Sequence, residues 1–156
     1  MAFHGGLIGI ILSTFIFSLK NKISFYIFCD LTACAAPIGI FFGRIANFIN
    51  GELVGRVTEN KIGIIFNHID NFTRHPSQIY EAILEGIILF LILFFLQNRE
   101  RFIYKSGILS SLFLIFYSLF RFICELFREP DPHIGLQYFN LSLGQIYSIF
   151  FLIIGI

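Results

Sequence analysis

Between Gly43 and Arg56 the chain places two arginines, two asparagines, a glutamate and three glycines directly after a long apolar run. Guanidinium groups stay charged when desolvated and grip phosphate oxygens with a planar fork of donors. Arg44 and Asn47 are three residues apart, so on a helix they share one face. A second cluster, Arg74-His75-Pro76-Ser77-Gln78-Ile79-Tyr80-Glu81, opens a helix in the expected manner: Pro76 suits the first turn, and Gln78 and Glu81 fall near the positive end of the helix dipole. Structurally this is a capped helix start; chemically it is a set of hydrogen-bonding groups at a membrane edge. Tyr117, Arg121, Glu125 and Arg128 recur every three to four residues and form one polar stripe. An Arg121–Glu125 ion pair that neutralises both groups accounts for part of that stripe. Ionisable groups within a bilayer are nevertheless costly enough to mark function by default. Two weaker clusters stand near the ends, His4-Gly5-Gly6 and Ser142-Leu143-Gly144-Gln145-Ile146.

The elements that must position these groups are membrane helices. Hydrophobic residues make up 56% of the chain and charged residues only 13%, with a mean hydropathy of +0.81, outside the range of ordinary soluble domains. A net charge of +1 gives no electrostatic basis for nucleic acid binding. A crossing needs about 20 apolar residues. Five segments approach that length: Leu7 to Leu19, which is short; Ile23 to Phe42, interrupted by Asp30 and Pro37; Ile79 to Leu96; Gly107 to Phe127; and Leu143 to Ile156. The expected fold class is therefore all-α, a multipass transmembrane helix bundle of about five segments with incomplete outer ones. It forms one domain over residues 1–156, with a small extracytoplasmic loop or cap over residues 50–76.

Short basic loops mark the cytoplasmic side. Lys20 and Lys22 lie in one, and Arg99, Arg101 and Lys105 in another. Alternating passes then bring His4, the connection from Arg44 to Gln78, and the connection from Arg128 to Leu141 to the opposite face. Cys29, Cys34 and Cys124 sit in apolar helical segments, without metal-ligand spacing to the histidines, as small buried hydrophobes. Asp30 and Glu85 fit polar contacts between packed helices, and His68 and His133 ordinary loop positions.

The blocks G-R-x-x-N-F-x-N-x-E-x-x-G from Gly43, R-H-P-S-Q-x-Y-E from Arg74, F-R-F-I-C-E-L-F-R-E-P-D from Phe120, the His4-Gly5-Gly6 cluster and S-L-G-Q-I from Ser142 occur in the order found in one family. Together they resemble the prolipoprotein diacylglyceryl transferases. The resemblance covers essentially the whole chain, but it corresponds to the middle and later part of a family member. The opening helices, with an early tyrosine the family needs, and the end of the last helix are expected to be missing. That resemblance implies a bacterial inner-membrane enzyme whose site faces the periplasmic or outer-leaflet side. It attaches the diacylglyceryl group of phosphatidylglycerol to the lipobox cysteine of a prolipoprotein signal peptide and releases glycerol phosphate. No metal or soluble cofactor is implied, and the partners are membrane lipid and the signal peptide. The family's essential histidine falls on His4, its signature arginine and asparagine on Arg44 and Asn47, its acid and glycine on Glu52 and Gly55, and its later tyrosine, arginine and glutamate on Tyr117, Arg121 and Glu125.

For that chemistry, sulfur attacks a glyceryl carbon while negative charge builds on a departing phosphate, a task for Arg44 and Arg121. Asn47 and Asn50 suit the glycerol head group, with Glu52, Gly55, Tyr117, His75 and Gln78 completing the substrate-binding set. A thiol of pKa near ~8.5 needs a proton acceptor at neutral pH. His4 is the candidate base, with Glu125 or Glu52 orienting groups, unless the arginine field alone lowers the thiol pKa. Other readings of the same residues are an inactive truncated member, a non-catalytic scaffold, or an anion carrier fragment, the last requiring polar groups at mid-membrane. Replacing His4 by Ala in the full-length context is expected to lower turnover far more than lipid binding; unchanged turnover in a thioether assay removes the histidine from the reaction.

Overall fold

A computed structural model describes residues 3–99, 105–130 and 141–156, without the side chains of residues 3, 4 and 7. Five helices carry the architecture: α1 (Phe3–Asn21), α2 (Phe25–Asn50), α3 (Ser77–Gln97), α4 (Ile108–Glu125) and α5 (Leu143–Gly155). Helices α2, α3 and α4 are long and apolar enough to cross a membrane, whereas α5 and the apolar part of α1, Ile8–Asn21, are shorter. Between α2 and α3 two short antiparallel strands, β1 (Ile64–Ile65) and β2 (Thr73–Arg74), pair Ile64 with Arg74. The protein is a helical membrane bundle with this small sheet as its only strand pair among the described residues.

Burial is inverted relative to a soluble domain. Large apolar side chains such as Ile16, Leu31, Phe42, Phe95 and Ile153 are more than half exposed, and the fully enclosed positions include Ser77, Gln78, Glu81, Glu85 and Ser118. In lipid the outside must be apolar and the polar groups must find one another inside.

The helix of the apolar span Ile23 to Phe42 continues to Asn50, which puts Arg44 and Asn47 on its last two turns, where their three-residue spacing gives them one face. Its stop signal is Gly51, held at φ 66° in the left-handed region, with the Gly51 and Glu52 N–H groups donating back to the carbonyls of Phe48 and Asn47. Any side chain at Gly51 would also meet the His68 ring. Pro37 does not break α2. It sits buried within the helix, one turn after buried Ala33, where packing holds the chain helical despite the missing donor.

Asp30 of α2 caps α4. Its carboxylate accepts from the N–H of Gly107 at 2.6 Å and of Ser110 at 2.8 Å, two of the donors a helix start leaves unpaired. Helix α3 widens into a π turn from Ala82 to Ile88. Gly86 lies within that turn against α2, where a Cβ would approach the Phe41 Cβ to 2.7 Å.

The connection from α2 to α3 is tied to the end of α4 by backbone bonds. Gly55 N–H donates to His75 at 3.0 Å, Arg56 N–H to Phe127 at 2.9 Å and Glu129 N–H to Val54 at 3.2 Å. Gly55 has no room for a side chain, since a Cβ would collide with the carbonyls of His75 and Phe127. Buried Arg74 locks the arrangement: it donates to Asp70 Oδ2 from Nε at 3.0 Å and from Nη2 at 2.6 Å, to Asp70 Oδ1 at 3.3 Å, to the Gly55 carbonyl at 3.1 Å, and to Glu129.

Two outcomes follow from these contacts. Asp30→Ala strips two charge-assisted bonds from the start of α4 and is expected to cost about 2 kcal/mol, read as a lowered melting temperature in detergent. The hydrogen bond from Arg74 holds the Asp70 carboxyl below its ordinary value of 3.8. The native loop therefore binds this proton less readily than the unfolded one. Its contribution to stability is complete above that ordinary value and is lost as pH falls through the lower folded value. Pepsin cleavage of the loop should accelerate over that acid window, and Asp70→Asn should flatten the dependence.

Candidate functional site

Antiparallel packing brings the last turns of α2 and α4 and the first turns of α3 and α5 to one end of the bundle. Arg44 falls in the last two turns of α2, Glu81 and Glu85 in the first three of α3, and Arg121 in the last two of α4. With about 1.5 Å of rise per residue, the ionic groups lie roughly one to two turns below the helix ends.

Their arrangement centres on one carboxylate. Glu81 Oε2 is 3.0 Å from Arg44 Nη1, its Oε1 accepts a hydrogen bond from Arg121 Nη1, and Arg128 Nη1 stands 3.7 Å from the same Oε1. Glu85 adds a second acid, 3.4 Å from Arg44 Nη2 and 3.7 Å from Arg121 Nη1. The other terminal nitrogen of Arg121 meets Glu125 Oε2 at 2.7 Å, and Glu125 Oε1 accepts from the Ser142 hydroxyl at 2.9 Å. Three guanidinium groups thus face three carboxyl groups from α3 and α4. Residues Glu81 and Glu85 are four apart on one face of α3, in and beside its π turn, and both reach Arg44 and Arg121.

The two signs are not equally accessible. The side chains of Glu81 and Glu85 are 0% exposed, whereas those of Arg44 and Arg121 are 16% and 13% exposed. An anion approaching from outside meets guanidinium first. Buried acids of this kind are tolerable only with strong partners, and removing one partner would leave an uncompensated charge.

Sequence reasoning singled out Arg44, Arg121 and Glu125, and these share the cluster. Tyr117 lies one turn before Arg121, its ring stacked on Phe113 with centroids 5.6 Å apart. Asn47 is half-buried and Asn50 exposed on the last two turns of α2. The Glu52 side chain is exposed, while its carbonyl accepts from Gln78 Nε2 at 2.5 Å. Gln78 is completely buried, and its Oε1 has no hydrogen-bond partner among the described residues. His75 Nδ1 is 3.2 Å from the Tyr80 hydroxyl, and its ring packs edge-on against Phe127 at 5.3 Å. The His4 side chain lies outside the described residues; its backbone belongs to the first turn of α1.

Glu81 and Glu85 are the members that sequence reasoning undervalued, one as a helix-start acid and the other as a packing contact. A signal for them existed. Acids spaced i and i+4 at the start of an apolar helix require cations, and Arg44 had no partner assigned to it.

The family model described as prolipoprotein diacylglyceryl transferase matches residues 1–156. The chain is 53% identical, over all of its 156 residues, to 59% of a protein from Rickettsia bellii (strain OSU 85-389) named phosphatidylglycerol--prolipoprotein diacylglyceryl transferase. Proteins of the same name from Rickettsia felis and Rickettsia typhi are 49% and 52% identical over 155 residues, 99% of this chain and 60% of theirs. The chain spans about three fifths of the length of the curated relatives it matches.

Proposed function

Because the chain belongs to the prolipoprotein diacylglyceryl transferase family, we propose that its ionic cluster is the phosphate-handling centre of that transfer: the diacylglyceryl group of phosphatidylglycerol passes to the thiol of a lipobox cysteine. The observation that carries this reading is that Arg44 and Arg121, from different helices, share one buried carboxylate while remaining the more accessible layer. Two guanidinium groups are thereby spaced by Glu81 to receive a single phosphate between them.

In the reaction the sulfur of the deprotonated cysteine forms a bond to the glyceryl carbon. The bond from that carbon to the phosphate oxygen breaks, and the electron pair leaves with glycerol phosphate. Charge therefore grows on the phosphate oxygens in the transition state. Fixed guanidinium donors in a water-poor site stabilise that charge, with ~3 to 4 kcal/mol the usual scale for one lost donor. Salt bridges from Glu81, Glu85 and Glu125 keep the donors from reorienting as charge develops. His4 takes the thiol proton in this reading.

Asn47 and Asn50, on the last turns of α2 beyond Arg44, fit the hydroxyl groups of the glycerol head. Gln78 Oε1, an acceptor without a partner among the described residues, can receive a hydroxyl hydrogen bond if the nearby loop yields space. Glu52, Gly55, Tyr117 and His75 shape the entrance through the loop and the α4 stripe. The site then faces the outer leaflet of the bacterial inner membrane, with the basic loops around Lys20 and Arg99 on the cytoplasmic side.

An assay with phosphatidylglycerol and a lipobox peptide, followed by mass spectrometry for the thioether adduct, tests this directly. Arg44→Lys and Arg121→Lys keep the charge but lose the planar fork, and each is expected to lower kcat by about 10²- to 10³-fold. Wild-type protein that forms no thioether, or lysine variants as active as wild type, would sink the reading.

A further inference from the structure

The first turn of α5 touches the cluster without carrying a charge of its own. Ser142 is 3% exposed, and its hydroxyl has two simultaneous tasks: it donates to Glu125 Oε1 at 2.9 Å and accepts from the Gln145 N–H at 3.2 Å. Gln145 completes the ring, its Oε1 accepting from the Ser142 N–H at 2.9 Å, so the serine is held by a capping box. Gly144 lies against the same carboxyl group. A Cβ there would come within 2.7 Å of Glu125 Cδ and Oε2 and 2.8 Å of Oε1. Contacts that close must displace either the helix or the carboxylate.

Glu125 has one oxygen for Ser142 and the other for Arg121, which it meets at 2.7 Å. The remaining terminal nitrogen of Arg121 is bonded to Glu81. Rotating Glu125 would therefore draw Arg121 away from its bond with Glu81. We infer that Ser142 and Gly144 are positioning residues for the transfer: the hydroxyl and the missing side chain set Glu125, and Glu125 aims the Arg121 guanidinium at the phosphate. This rests on the phosphate-handling role proposed for Arg121. The positive end of α5 adds to the effect, because its first-turn N–H groups favour a carboxylate at that place.

The same geometry separates this role from simple helix capping. Ser142→Ala removes the bond to Glu125 and the cap together, whereas Gln145→Ala opens the capping box but leaves the hydroxyl facing Glu125. In full-chain protein with phosphatidylglycerol and a lipobox peptide, Ser142→Ala should lower kcat by about tenfold, the worth of one charge-assisted bond felt in the transition state. KM for the lipid should change little, since a misaimed Arg121 keeps its charge. Ser142→Thr should recover most of the loss, Gln145→Ala should stay near wild type, and Gly144→Ala should fall further, by about 10²-fold. In a Glu125→Ala background, Ser142→Ala should have no additional effect.

Equal losses in Ser142→Ala and Gln145→Ala, or an undiminished Ser142→Ala effect without Glu125, overturn the inference while leaving the transferase reading intact. Wild-type protein without turnover defeats that reading instead. The link between Ser142 and Glu125 is then read from melting temperatures of the two single variants and the double variant. Non-additive shifts support it, and additive shifts overturn it.

Discussion

A carboxylate gripped by guanidinium groups from two other helices is the constraint on which the rest of this bundle turns. Glu81 of α3 draws Arg44 of α2 and Arg121 of α4 to the same point, so three crossings are pinned near one end by an interaction that needs all three. In a medium without water each of these groups is intolerable alone. Their mutual dependence makes the site and the fold one problem: the arrangement proposed to receive phosphate is also the arrangement that satisfies the interior.

Around that point the elements are held by devices of different kinds. Asp30 reaches from α2 to cap α4 at the far end of the bundle, so α2 and α4 are tied both there and at the arginines. Gly86 lets α2 and α3 come close in the π turn, and Gly55 lets the loop lie on the carbonyls of His75 and Phe127. Arg74 is a buried cation of the loop between α2 and α3, and its partners Asp70 and Glu129 join the loop to the segment after α4. Two arginine-centred assemblies therefore sit one above the other, one inside the helices and one in the loop over them.

Much of this was legible in the sequence. Hydropathy separated five helical segments, and the three to four residue spacing of Tyr117, Arg121, Glu125 and Arg128 put a polar stripe on α4. Arg44 and Asn47 declared their shared helical face. Hydropathy did not mark the end of α2 at Asn50, because apolar length marks the membrane, whereas a helix ends where its hydrogen bonding is stopped, here by Gly51. The partners of Arg44 were signalled only indirectly, by two acids four apart at the start of an apolar helix that require cations, while no local propensity in Ala82 to Ile88 announces the π turn. The role of Gly144 was equally silent, because a glycine near a helix start has several ordinary explanations and only the approach of Glu125 selects among them.

The inverted burial also governs how this sequence can change. Exposed apolar positions such as Ile16, Phe42, Phe95 and Ile153 meet no close packing among the described residues and need hydrophobicity more than shape, so isoleucine, phenylalanine, leucine and valine should be nearly interchangeable there. A chain with 22 phenylalanines and no tryptophan can acquire such a skewed alphabet on its outer surface without disturbing its interior. The enclosed acids and arginines have no comparable freedom, since a single exchange strands a charge. Mutational drift in this molecule is accordingly steered outward, into the membrane.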